Sequence, residues 1–424
     1  MKKEKIAEKR PLGLYVHIPF CVKKCNYCDF LSAPAGKEEQ ERYTEAICRE
    51  IKGYAEQAKD YLVETIYFGG GTPSVLETEQ IGRILKAIKE VFLVKGIQEE
   101  PETKRRFSLF GRGKQPEQQV TEENNQAELT IEVNPGTAAK EKLVAYKELG
   151  FNRLSIGVQS AHERELALLG RIHTFEEAKQ CVLWAREAGF DNISMDVISA
   201  LPMQTLKEYE QTLTQILALE PEHISSYSLM IEEGTPFYER YGEGGEEKDK
   251  LPDEETDRAM YALTKQKLAA AGYERYEISN YAKPGFESRH NSSYWKGTEY
   301  LGFGIGASSL FTNARYHNET ALSDYTEQVM RGEDIRRDVE RLVEAEAMEE
   351  FMILGLRMIK GISRTEFQKR FGRPLETVYG SALRKLKDAG LLVVEGDTVA
   401  LTEHGIDVSN QVFVEFVPEE FVRR

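Results

Sequence analysis

The sequence predicts an α/β protein built on a parallel sheet, and three observations carry that prediction. Six short apolar runs alternate with longer stretches of helical rhythm through the first half of the chain. Polar or glycine-rich residues follow nearly every run. A length of 424 residues, 41% apolar and 30% charged, suits a globular chain with a large core divided into two or three domains.

The elements follow in order. "GLYVHI" reads as the first strand and "EEQERYTEAICREIKGYAEQA" as its helix; "ETIYFGG" precedes "ETEQIGRILKAIKEVF". "ELTIEVNP" leads to "AAKEKLVAYKELG", and "NRLSIGVQS" to "TFEEAKQCVLWAREAG". "NISMDVISALP" precedes "LKEYEQTLTQILALE", and "HISSYSLMIE" closes the series. Such βα units give right-handed crossovers, and both a barrel and an open doubly wound sheet fit them. In either architecture the strand C-terminal ends form the functional face.

Residues 95–128 interrupt the rhythm with a polar, Gln- and Glu-rich stretch, much longer than an ordinary αβ connection, and read as a surface insertion. After residue 232 the character changes to an acidic glycine-rich loop, a helix "ETDRAMYALTKQKLAAAG", and the aromatic stretch "HNSSYWKGTEYLGFGIGASSLF". Beyond Val343 the order is helix, short helix, helix and a hairpin turning at Glu395–Asp397, which resembles a winged helix. The expected divisions are therefore 1–232, 233–342 and 343–424.

A formal net charge of −15 argues against nucleic acid as the main partner, and the acidic surroundings of Arg384, Lys385 and Lys387 weaken a DNA-binding reading of the last unit. No run of about 18 apolar residues exists to cross a membrane, and "MKKEKIAEKR" lacks the apolar core of a secretory signal. Five cysteines in so long a chain do not make a secreted disulfide scaffold, which points to the cytoplasm. Cys48 and Cys181 sit in helical rhythm and read as buried small hydrophobes.

The other three, Cys21, Cys25 and Cys28, are spaced C-x3-C-x2-C just after the first strand. A disulfide would leave one thiol over, a structural zinc site normally takes four protein ligands, and a peroxide-sensing thiol does not need three cysteines. An iron–sulfur cubane with three protein ligands fits best, its fourth iron left open to a small ligand.

With "YVHIPFCVKKCNYCDF", "GGGTPS", "IEVNP", "LSIGVQS", "LGRIH", "SMDVISALP" and "HNSSYW", the chain resembles the radical S-adenosylmethionine (SAM) superfamily, in the group that includes oxygen-independent coproporphyrinogen III oxidase. The resemblance implies a partial (β/α)6 barrel with a C-terminal α+β extension including the winged-helix-like unit. It also implies a [4Fe-4S] cluster on Cys21, Cys25 and Cys28, whose open iron is chelated by SAM. Gly69–Gly71 would let backbone approach that ligand. By the same likeness Tyr15, Tyr27, Gly70 and Glu132 line the SAM site. Gly71, Thr72, Gln159, Arg171 and Asp196 match positions around a second SAM or the substrate side of the cavity. "ISALPMQT" departs from the group, with Met203 where glycine is usual.

Two further departures matter. The oxidase carries another cysteine two residues after the third, where this chain has Phe30, and only twenty residues precede Cys21 in place of its longer arm. With "HNSSYW" and the tail, these resemble the HemW-type haem chaperones. That likeness implies haem as cargo, delivery to respiratory haem proteins, and transient contact with membrane-bound recipients. Radical decarboxylation of coproporphyrinogen III propionates is the alternative, within the same porphyrin metabolism. His290 is the first candidate axial haem ligand, with Tyr294 and Trp295 as walls; His17, His173 and His317 are the others.

Overall fold

The structure, a computed structural model, describes residues 9–97 and 125–417. Most of the segment 95–128 read as an insertion, and most of the N-terminal decapeptide, lie outside the described residues. The described ends of that segment are joined, Ala127 N–H donating to Lys95 O at 2.9 Å.

Six parallel strands run in chain order across the main sheet: β1 (Arg10–Ile18), β2 (Tyr61–Gly70), β3 (Glu128–Val133), β4 (Arg153–Gln159), β5 (Ile193–Ser199) and β6 (His223–Ser228). A doubly wound sheet reverses its strand order at a switch point; this one never does, so the crossovers all wind the same way round. Of the two architectures open from strand pattern alone, the sequential one is found.

The helices between the strands form as their sequences dictate. Thr78–Val91 buries Ile81, Ile84, Leu85 and Ile88, one stripe at 3.6-residue spacing, against the outer face of the sheet. Thr174 and Thr205 start the helices Phe175–Glu187 and Leu206–Leu217, each accepting the backbone N–H three residues on, while Glu177 and Glu208 reach back. Apolar residues of alternate strand positions, such as Leu12, Leu14, Val16 and Ile18, join that outer core. The other alternate positions are polar: Tyr15 and His17, Thr65 and Tyr67, Glu132, Arg153 and Ser155, Asp196, His223. They meet one another inside the curved sheet, where a closed barrel of this size would pack aliphatics.

Between β6 and the last unit the chain lengthens the sheet in a way the sequence did not announce. The short strands β7 (Glu274–Arg275) and β8 (Asn280–Ala282) add antiparallel beside β6. β9 (Tyr300–Phe303) adds parallel beside β1, and β10 (Ser308–Phe311), β11 (Ala314–Asn318) and β12 (Arg336–Arg341) follow antiparallel, making twelve strands. The helix Arg289–Trp295, which carries "HNSSYW", sits at the strand-start end of that interior. The Glu128 carboxylate accepts the Arg289 and His290 backbone N–H groups at 3.0 and 2.9 Å.

Residues Met348 to Phe416 have their own hydrophobic core. Helices Glu344–Gly355, Arg364–Phe371 and Leu375–Asp388 precede the hairpin β14 (Leu392–Glu395) and β15 (Thr398–Leu401), with a two-residue β13 (Ile362–Ser363) pairing to β15. No helix among the described residues is long and apolar enough to cross a membrane.

Candidate functional site

The strand C-terminal ends open on one mouth, and the cysteine loop crosses it. Strand β1 delivers the chain at Ile18, and residues 18–20 are zipped to the glycine turn after β2: Gly71 and Thr72 N–H donate to Ile18 and Phe20 carbonyls, both at 2.8 Å. A Cβ on Gly71 would stand 2.9 Å from both carbonyls, so a side chain there would unzip the loop. Gly70 has φ +109°, and a Cβ there would lie 2.5 Å from the His17 ring. The space these two glycines free is thus taken by the protein's own atoms, where the sequence suggested close approach of a ligand.

Further along, Asn26 N–H donates to Leu169 O at 2.9 Å and its amide to Leu168 O at 2.9 Å, anchoring the loop to the segment after β4. Cys21 Sγ lies 3.6 Å from Thr72 Oγ1, and Arg171 Nη1 donates toward Cys25 Sγ at 3.6 Å. All three cysteines are partly exposed free thiols. Burial raises the Cys28 thiol. No three His, Cys, Asp or Glu side chains among the described residues converge as ligands of one ion would. A cubane asks for a wider spread, since each thiolate takes a different iron corner, and three thiols on one pinned loop with a guanidinium beside one of them suit an anionic cluster.

Arg171 draws the mouth together. It also donates to Gly157 O at 2.5 Å and to Asn134 Oδ1, while Asn134 Nδ2 donates to Thr72 Oγ1 at 2.8 Å. Burial pushes the Tyr27 phenol up, against the pull of Arg171 beside it. Gln159, at φ +69°, packs over Gly157 with Asn134 and Arg171. Asn134, in "IEVNP", was not singled out from sequence; its motif was the available signal.

Glu132 accepts from Tyr67 OH at 2.7 Å and Gly70 N–H at 3.2 Å. Burial, with Asp196 nearby, raises its carboxyl to about 7. Asp196, against Ser155 Oγ at 3.3 Å, is also raised by burial. Arg153 lies beneath them, 2% exposed and with no ion pair among the described residues, its charge opposing both rises. Sequence reasoning passed over Arg153, which looked like an ordinary strand start. Met203 adopts φ +61°, the left-handed region that favours the glycine usual in relatives, and is half exposed.

The histidines separate clearly. His17 Nε2–H donates to Leu31 O at 2.9 Å, which leaves Nδ1 to accept from Tyr15 OH at 3.1 Å. Burial lowers its pKa, so the ring is neutral. His290 uses both nitrogens, on Thr65 Oγ1 and Tyr294 OH, each at 2.8 Å, and burial lowers it to about 3. His173 is buried against Val158 O, lowered to about 4 by burial. His317 pairs with Asp338 at 2.9 Å on the surface, and its pKa is raised by its hydrogen bond to the Asn318 carbonyl and then by that pair. Among the four, only His17 borders a cavity that also touches the cysteine loop.

That cavity, about 550 Å³, lies on the β9 side of β1. Its walls are Tyr294, Trp295, Tyr300, Leu310 and Leu354, with Phe30 and Leu31 at the rim and Arg315 at one side. A chain of rings joins it to the mouth: Tyr15 to Tyr67 at 6.2 Å, Tyr67 to His290 at 5.0 Å, His290 to Tyr294 at 4.9 Å, Tyr294 to Tyr300 at 4.6 Å. A larger cavity of about 870 Å³ at the strand-start end mixes five carboxylates with four basic side chains in its lining.

Comparison with known proteins agrees with this geometry. Residues 15–216 match the radical SAM superfamily, and 342–408 match the HemN C-terminal domain. The haem chaperone HemW of Bacillus subtilis (strain 168) is 34% identical over 96% of this chain and 99% of its own length. HemW of Escherichia coli (strain K12) is 33% identical over 96% and 99%. The structure of coproporphyrinogen III oxidase (HemN) from Escherichia coli superposes with a TM-score of 0.78 at 24% identity, covering 97% of this chain and 92% of that one.

Proposed function

This chain belongs to the HemW family within the radical SAM superfamily, and on that premise we propose that it is a haem chaperone, binding haem and transferring it to haem proteins of the respiratory chain. The observation that carries this reading is the 550 Å³ cleft beside the cysteine loop. Its size falls within the ~300–1,000 Å³ of small-molecule sites. Its walls are aromatic and aliphatic, as an apolar macrocycle requires, with Arg315, paired to Glu350, at the edge. The larger cavity, ringed by charge of both signs, suits water and ions better than a porphyrin face.

Phe30 acquires a role in this reading. It is 61% exposed at the cleft rim, where an apolar ring can cover a bound macrocycle edge. A [4Fe-4S] cluster on Cys21, Cys25 and Cys28, when bound, supplies an open iron for the amino and carboxylate groups of SAM. Around it Thr72, Asn134 and Arg171 orient the loop, and Tyr15, Tyr27, Glu132, Gln159 and Asp196 line the mouth. Cluster loop and cleft share residues 29–31, so a change in one is felt in the other.

The test is anaerobic purification and cluster reconstitution, followed by parallel assays of haem uptake and coproporphyrinogen III decarboxylation. Stable haem uptake without turnover is expected; robust protoporphyrinogen formation would replace this reading with the oxidase one.

A further inference from the structure

The haem reading leaves open what holds the iron, and the cleft's own hydrogen bonds narrow the choice. His290 has no free ring nitrogen. His17 is likewise spent on Leu31 O and Tyr15 OH, and that bond occupies the Tyr15 hydroxyl too. The Tyr294 hydroxyl is engaged with His290. Trp295 Nε1 is a buried unpaired donor, which cannot ligate a metal. Asp29 also lines the cleft but is exposed to solvent.

Tyr300 remains. It opens β9, paired across to Gly13 of β1, so a strand in the main sheet fixes its position. Its ring packs edge-on against Tyr294 at 4.6 Å, and its hydroxyl has no hydrogen-bond partner among the described residues. The Arg315 side chain stands beside it: one amino group donates to Glu350 at 2.8 Å, while its buried Nε has no partner. That guanidinium favours a negative oxygen on Tyr300, against the upward push of burial and of the Glu350 carboxylate it is paired with.

We propose that Tyr300 is the axial ligand to ferric haem in this cleft, with the Arg315 charge stabilising the bound phenolate. This rests on the haem-chaperone reading and deepens it. On binding, the Tyr300 O–H bond breaks, its proton goes to water, and the phenolate oxygen forms the bond to Fe(III); no electron moves. A phenolate is a hard anionic ligand and belongs with ferric iron, as in other tyrosinate-ligated haems. The same site therefore holds ferrous haem less well.

The experiment uses the full-length chain titrated with ferric haem and read by visible absorbance, electron paramagnetic resonance and resonance Raman. The wild type is expected to show a high-spin ferric spectrum with a phenolate-to-iron charge-transfer band. Tyr300→Phe loses that band and binds at least about tenfold more weakly. His290→Gln keeps the band. Tyr300→His, where the variant retains haem, exchanges the phenolate signature for a histidine one, which keeps the test decisive if Tyr300→Phe folds poorly. Reduction of the wild-type complex with dithionite weakens binding by a similar about tenfold factor. Haem uptake with an unchanged spectrum in Tyr300→Phe, or a histidine-ligated wild-type spectrum, overturns the assignment alone. No haem uptake by the wild type overturns it together with the reading beneath it.

Discussion

The mouth of the sheet and the cleft beside it are neighbours built on opposite principles. At the mouth most polar side chains are engaged with one another: Glu132 by Tyr67 and Gly70, Asn134 by Arg171 and Thr72, Arg171 by Cys25, Asn134 and Gly157, leaving the buried Nε atoms of Arg171 and Arg153 without partners among the described residues. In the cleft the polar groups facing the wall are unspent: the Tyr300 hydroxyl, Trp295 Nε1 and Arg315 Nε. A densely cross-linked network fixes one geometry and suits a resident cofactor. An unsaturated one gains free energy when a ligand arrives and costs free energy when it leaves empty, as a site for a travelling cargo does.

The largest expected effect tests whether the two regions are separable. Cys25→Ala should abolish the visible absorbance of the reconstituted cluster while changing the stability of the apo chain by no more than about 1 kcal/mol, since the thiol is partly exposed. Haem titration of the same variant should still show uptake in the cleft. Retained cluster absorbance would overturn the ligand assignment, and lost haem uptake would make mouth and cleft one site.

Gly70→Ala attacks the residue that joins them. His17 lies under Gly70 at the mouth and lines the cleft on its other side. A methyl group 2.5 Å from its ring, on a backbone at φ +109°, combines overpacking with a disfavoured conformation, about 3 kcal/mol together. Urea unfolding should show that loss, and both SAM and haem affinity should fall. A variant as stable as the wild type would mean that His17 moves aside freely.

How much of this was legible in the sequence differs between the regions for a physical reason. The mouth is made of residues immediately following regular strands, so period-two apolar runs located it, and a local loop such as Cys21–Cys28 declares its chemistry by spacing. The cleft is assembled from β1, residues 29–31, "HNSSYW", β9, β10 and a helix of the last unit. Strands of two to six residues, such as β7 to β12, carry too few alternations to read, and nothing local marks Tyr300 or Arg315 as neighbours. His290 stood out because its motif is conspicuous, yet its ring is spent on Thr65 and Tyr294, which only the fold brings to it.

Each region also holds one buried carboxyl raised by burial to about 7: Glu132 at the mouth, and Glu50, which accepts from Gly304 N–H, Tyr325 OH and Asn318 behind the far wall of the cleft. Below the ordinary value of 4.5 both folded and unfolded chains are protonated and neither group matters. As pH rises from 4.5 toward 7 the unfolded chain ionises while the buried groups keep their protons, so folding stability falls, by up to about 3 kcal/mol per group, and the loss is complete above about 7. The buried His290 and His173, held below their ordinary value, contribute the opposite slope below about 6.5, so the carboxyl contribution is read as the difference between wild type and variants in urea unfolding of the apo chain between pH 5 and 8. Glu132→Gln and Glu50→Gln should each remove one downward contribution and leave a more positive slope than the wild type, whatever constant offset the amide introduces. An unchanged slope in both would mean that water reaches these carboxyls.

The smallest expected effect marks where both regions end. The last unit reaches the cleft through Leu354, on the helix Glu344–Gly355, and through Arg357, whose guanidinium lies 4.3 Å over the Trp295 ring, while several of its other basic residues are paired on the surface. Lys385 is paired with Glu415 at 2.7 Å, Arg364 with Glu376 at 2.5 Å and Arg373 with Glu344 at 2.9 Å. Exposed pairs of this kind contribute little to stability, and the formal charge of −15 on the chain disfavours phosphate backbone although Arg384 and Lys387 have no ion pair among the described residues. Lys385→Ala should therefore change unfolding free energy by no more than about 0.5 kcal/mol and leave haem titration superimposable on the wild type. A duplex DNA titration at low salt should show no complex for either chain. A complex that weakens with salt would give this unit a binding face of its own, and a shifted haem curve would extend the cleft's influence through Leu354 into the helices behind it.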